Sequence, residues 1–142
     1  MIGVLLCLAL LPMPLIDEIV GKKQFEQLCR ENSMIQVDLT KAAGRTVYLA
    51  DLPDVEIKDT WVRVVLKPWR FVDAGTGEVV VSYNTLMASG GKFVHALPLS
   101  EGRVPLSFAG SCAPANRPAS KQAFANLGIN YIERPANKGR SR

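Results

Sequence analysis

Residues 61–86 constrain the fold more than any other stretch of this chain. Trp61-Val-Arg-Val-Val-Leu-Lys67 and Glu78-Val-Val-Val-Ser-Tyr83 are runs of β-branched and aromatic residues bounded by turn residues. Between them lies Asp73-Ala-Gly-Thr-Gly77, with Asp73 suited to accept backbone donors and Gly77 to take a positive φ. A hairpin of this kind is marginal alone, so it needs flanking strands and a helix over its apolar face. Pro68 interrupts the first strand and has no N–H for a ladder, which marks an edge or a bulge. We expect the bulge. Under strict alternation Val62, Val64 and Leu66 would face away from Trp69 and Phe71. One extra residue would bring all five to one side and leave Arg63, Lys67 and Arg70 largely to solvent.

The rest of the middle supplies short partners for that hairpin. Met34–Leu39 alternates as a short strand, and Thr46–Ala50 is β-prone. Lys41–Arg45 between them is a turn or a single helical turn, capped by Thr40 and ended by Gly44. Asp51–Asp59 carries four carboxylates but lacks the spacing and central glycine of a calcium loop. It is expected as a solvated loop and edge strand with Val55 and Ile57 turned inward. Arg103–Phe108 is a further strand, and Ala109–Pro114 is turn-rich. Pro118–Leu127 is a short helix with Phe124 and Leu127 inward and Gly128 at its C-cap, and Ile129–Ile132 adds a last strand.

The chain opens on an apolar run, Ile2 to Leu11, that passes through Pro12 and Pro14 and turns charged at Asp17-Glu18. Residues 2–16 fall short of the roughly 20 a helix needs to cross a bilayer. Three accounts compete: a membrane anchor or uncleaved signal, a cleaved signal, and the buried N-terminal helix of a soluble domain. No Lys or Arg precedes the run and no Ala-x-Ala site follows it, which disfavours a cleaved signal. A start codon lying upstream of Met1 would explain both the missing basic residues and the missing length. The anchor is therefore favoured. Beyond it, Ile16, Ile19 and Val20 form one helical stripe, and Phe25, Leu28 and Cys29 form another about half a turn away. The switch falls at Gly21, expected as a kink or a close-packing point between an anchor-side face and a domain-side face. Asp17 and Glu18 suit the first turn of that helix.

Placed directly after an apolar segment, the run Asp17-Glu18-Ile19-Val20-Gly21-x-x-Gln24-Phe25-x-x-Leu28-Cys29 resembles small membrane-anchored proteins of proteobacteria to which no activity is assigned. The likeness covers mainly residues 10–30, and more loosely Thr46–Leu49 and the surroundings of Cys112. It implies an inner-membrane anchor carrying a periplasmic domain. Lys22, Lys23 and Arg30 would by themselves favour a cytoplasmic domain. Domains of this length translocate with little regard to such charges, however, and the cysteines argue for the extracytoplasmic side.

There are three cysteines and one histidine: Cys7, Cys29, Cys112 and His95. No two lie at a chelating spacing, so no metal site is expected. In an extracytoplasmic domain Cys29 and Cys112 are the disulfide candidates. A bridge between them would contribute roughly 4 kcal/mol by chain-entropy reasoning. The competing account is two buried thiols in a reducing cytoplasm. Catalysis does not emerge: the thiols have only His95 as a base, and there is no Gly-x-Ser-x-Gly elbow. Ser89-Gly-Gly-Lys92 lacks the rest of a phosphate loop, so no cofactor is expected. Basic residues around Trp61, Trp69, Phe71 and Tyr83 alternate with acids, which argues against a nucleic-acid track. The net charge of +4 comes largely from the basic end of the chain.

The expected architecture is α+β: an N-terminal apolar anchor and a helix packed on a mainly antiparallel β-sheet with a central β-hairpin. Its divisions are an anchor or uncleaved signal at 1–16, one α+β domain at 17–133 and a basic disordered tail at 134–142. The function that follows is a membrane-tethered, non-catalytic binding or accessory module. Its partners would be the bilayer and an unknown protein. The first alternative is a soluble cytoplasmic binding protein with a buried N-terminal helix, as a monomer or homodimer. An enzyme using Cys112 or His95 ranks below both.

Overall fold

The hairpin is the spine of the structure, a computed structural model that describes residues 13–91 and 108–134. Its strands β4 (Val62–Asp73) and β5 (Val79–Gly91) pair antiparallel from Val62–Gly91 to Val72–Val79. The connecting turn has the chemistry its residues imply. The Asp73 carboxylate accepts from the Thr76 backbone N–H at 3.0 Å and the Thr76 hydroxyl at 2.8 Å, and Gly77 has φ +73°. Arg45 reaches across to Asp73 at 3.4 Å and Glu78 at 3.3 Å.

Short strands extend the hairpin on both sides. On the turn half, β1 (Gln36–Val37) flanks β5, while β2 (Thr46–Leu49) flanks β4 and carries β7 (Asn130–Tyr131) on its outer edge. On the other half, β3 (Val55–Ile57) pairs with β4 and β6 (Ala109–Cys112) with β5. The described sheet has seven strands, antiparallel except for β2 against β7. Among the described residues three helices accompany it: α1 (Met13–Asn32), α2 (Leu39–Ala42) and α3 (Lys121–Asn126). The fold is α+β on a mainly antiparallel sheet, as the residue patterns imply.

The bulge is not at Pro68. Register runs without a break from Arg63–Ser89 through Pro68–Asn84 to Phe71–Val81. It shifts instead at the two ends of β5, where Val80 and Gly90 are the extra residues. Strict alternation therefore holds across Pro68, and Val64 and Leu66 do face away from Trp69 and Phe71. The sheet resolves this by burying both of its faces. One face carries Val62, Val64, Leu86 and Ala88 under Phe25 of α1. The other carries Phe71, Val81 and Tyr83 under Ala42 of α2 and Phe124 of α3. Pro68 is tolerated because β2 and β3 flank β4 on either side of it and neither pairs with residue 68.

Smaller corrections have equally local causes. Asp38, not Thr40, caps α2, its carboxylate accepting from the backbone N–H of Thr40 and Lys41. α1 is already helical at Met13, the first described residue, and runs unbroken through Gly21, so Asp17 and Glu18 lie beyond its first turn. Of the β3 pair only Ile57 is half-buried, and Val55 is exposed. Cys112 ends a strand rather than lying in a turn. The run Ile2–Leu11, Cys7, Lys92, His95, the Arg103–Ser107 part of the expected strand and the tail after Arg134 lie outside the described residues.

Candidate functional site

Two features stand out, one on each face of the sheet. The first is the seam between α1 and the sheet. Glu18, Gly21 and Phe25 are buried along one side of the helix, and Leu28 and Cys29 continue that side half-buried. These are steps of three, four, three and one, the spacing of a single helical face. The Glu18 carboxylate accepts from the Phe108 backbone N–H at 2.5 Å, which joins the first half of the helix to the start of β6. Phe25 meets the Phe108 ring edge-to-face at 5.6 Å. The Gln24 amide donates to the Asp59 carbonyl at 3.1 Å and accepts from the Trp61 N–H at 2.9 Å, holding the turn before β4.

Gly21 is a close-packing point. A Cβ placed there would lie 2.3 Å from Cγ1 of Val62, so the helix backbone can approach the sheet only without a side chain. Cys29 and Cys112 are joined as a disulfide with Cα atoms 6.1 Å apart, which clamps the last turns of α1 to the end of β6. The three residues singled out from sequence thus meet along one seam. The other stripe stays outside: Ile16 is 51%, Ile19 56% and Val20 37% exposed. Among the described residues no helix is long and apolar enough to cross a membrane.

The second feature is a groove on the opposite face. A cavity of about 450 Å³ opens between the sheet and the segment leading into α3. Trp69, Phe71 and Tyr83 line the sheet side, Leu49 and Tyr131 extend it, and the exposed Arg117 and Lys121 stand at its margin. The Trp69 and Tyr83 rings stack at 6.0 Å, and Nζ of Lys67 lies 5.2 Å from the centre of the Trp69 ring. Burial pushes the Tyr83 phenol above its ordinary pKa, partly opposed by the charge of Arg117. Lys121 is paired with Glu133 at 3.6 Å, with both side chains largely in solvent.

Beyond Trp69 the groove continues into a second hollow of about 600 Å³, which shares Leu49 and Trp69 with the first. Asp51, Asp54 and Arg134 line it, with Arg134 paired to Asp51 at 3.5 Å. Trp69 lines both hollows, and its Nε1 is buried and has no hydrogen-bond partner. Compared with protein-family models, curated proteins and solved structures, the chain matches none.

The first hollow is of a size that has room for one compact ligand group against its aromatic floor. Among the described residues no three His, Cys, Asp or Glu side chains converge on a metal-sized site. Trp69, Phe71 and Tyr83 share one face of the sheet, where Phe71 and Tyr83 are buried while Trp69 is half-buried and opens onto both hollows. Trp61 does not join them and stays 46% exposed. Arg117 and Tyr131 were not visible as site residues, because each is single in its segment and no periodicity singles it out. The one available signal was the odd-numbered set Lys67, Trp69 and Phe71, which points to one face once Pro68 is read without a bulge.

Proposed function

We propose that this chain is a small membrane-tethered, non-catalytic binding or accessory module, its domain held on the periplasmic side of an inner membrane. The observation that carries this is the division of labour on α1. One side of the helix is committed to the domain through Glu18, Gly21, Phe25 and the disulfide. The other leaves Ile16, Ile19 and Val20 uncovered at the end where the chain continues back into the apolar residues 2–11. Lone exposed apolar residues need no explanation, but three within two turns of a helix next to an apolar run do. The disulfide supports the compartment, because such bonds persist in oxidising surroundings and are rare in the cytosol.

Fractionation tests the proposal. The full-length chain is expected in the membrane fraction after a high-salt wash, with Cys29 and Cys112 protected from alkylation until reductant is added. Recovery as a monodisperse soluble cytoplasmic species with Cys29 and Cys112 as free thiols would overturn it. The same exposed stripe would then serve a homodimer of a soluble binding protein.

A further inference from the structure

The groove over Trp69 has no part in tethering, and it lies on the face of the sheet away from α1. Its chemistry is specific. The sheet side is aromatic, the walls are apolar, and the volume of about 450 Å³ falls in the range of sites that hold one compact ligand group. The charge at its margin is positive. Lys121 is shared with Glu133, but Arg117 has no ion-pair partner among the described residues. Trp69 adds a donor: its indole N–H is buried without an acceptor, a state that native structures rarely leave in place. A small rotation of that half-buried ring would present the N–H to an oxygen brought in beside it. An apolar body, an anion for Arg117 and an oxygen for Trp69 together describe an apolar carboxylate.

The shape says how it is carried. The first hollow is open and runs past Trp69 into the second, where Asp51 and Asp54 stand with Lys67 and Arg134 and the charges balance, as suits the neutral backbone of an extended chain. A compact free acid would leave the second hollow empty. A polypeptide whose last side chain fills the first hollow would lay its preceding residues along the second. The chain's own residues 135–142, Pro-Ala-Asn-Lys-Gly-Arg-Ser-Arg, are unsuited to the first hollow. They hold no aromatic or branched apolar side chain, and their charges would face Arg117.

We propose that this groove binds the carboxy-terminal end of a partner polypeptide, seating an apolar or aromatic last residue on Trp69 and Tyr83 with its carboxylate on Arg117. The test is a fluorescence titration of the full-length chain carrying Trp61→Phe, so that Trp69 alone reports. The probes are a hexapeptide ending in phenylalanine with a free carboxylate, the same peptide amidated, and N-acetyl-phenylalanine. The free-acid peptide is expected to give a saturable shift. Amidation, or Arg117→Ala at an exposed position that leaves the fold intact, should each weaken it about tenfold or more, as loss of a charge-assisted hydrogen bond requires. N-acetyl-phenylalanine should bind more weakly than the peptide. No saturable shift up to millimolar peptide would overturn the proposal, as would equal binding of the amide or an unchanged affinity in Arg117→Ala. N-acetyl-phenylalanine binding as tightly as the peptide would overturn the polypeptide as the source.

Discussion

Substituting Gly21 by alanine separates close packing from an ordinary helix position by the sign of its effect. At a solvent-facing helix site, glycine to alanine stabilises by about 1 kcal/mol, because alanine restricts the unfolded chain and favours the helix. At Gly21 the new Cβ would start 2.3 Å from Cγ1 of Val62, where ordinary contact begins at 3.4 Å. Val62 is 1% exposed and sits in the ladder of β4, so the helix and strand must separate by about an ångström or the valine must leave its rotamer. Overpacking of this kind costs about 1–3 kcal/mol, and the upper half of that range applies where neither partner can yield. Less the propensity gain, Gly21→Ala should destabilise by about 1–2 kcal/mol, a fall in Tm of about 3–8 °C for a chain of this size. Val62→Ala should cost about 2 kcal/mol alone, yet it should remove most of the penalty of Gly21→Ala when the two are combined. Urea denaturation of the four proteins gives the coupling directly. A stabilised Gly21→Ala protein, or two effects that add within about 0.5 kcal/mol, would refute the seam as described.

Three further outcomes follow from the same geometry. Serine at Cys29 or Cys112 should abolish the mobility difference between reduced and unreduced gels and cost roughly 4 kcal/mol of stability, against which the unreduced parent is the control. Hydrogen bonds from Thr76, aided by Arg45, hold the Asp73 carboxyl below its usual range. Its contribution is thus present above the ordinary carboxylate pKa and lost as pH falls through the lowered value, and Asp73→Asn should flatten the acid limb of a stability-against-pH curve. Tyr83 keeps its proton above the ordinary phenol pKa, so its stabilisation is intact below that value and disappears as pH rises through the raised one. An ultraviolet titration should show a late-ionising tyrosine that Tyr83→Phe removes.

The hairpin, its turn and the stop after α3 were legible because each rests on local chemistry: Asp73 and Gly77 at the turn, and Gly128 at φ +72°, one residue past the Leu127 cap where Gly128 itself was expected as the cap. Gly21 was legible because the two apolar stripes rotate there, and the cysteine pair because Cys29 and Cys112 are the two cysteines that lie beyond the apolar run. Pro68 misled for a physical reason. Its missing N–H needs a place without a ladder partner, and a gap between two short neighbouring strands meets that need as well as a bulge does. Whether β2 and β3 leave such a gap depends on pairings between residues distant in sequence. The groove was illegible for the same reason, since Leu49, Trp69, Arg117 and Tyr131 come together only once four separate segments have folded.

The disulfide also changes how the domain would carry load. A pull between the two ends of the described chain passes from Cys29 straight to Cys112, a shortcut across a sequence separation of 83. The whole hairpin, with β1, β2 and β3, lies inside the bypassed loop. At about 3.4 Å per residue, roughly 280 Å of contour is withheld from extension until the bond is reduced. Tension applied through α1 can therefore strip the helix and the segment after Cys112 while leaving β4 and β5 paired.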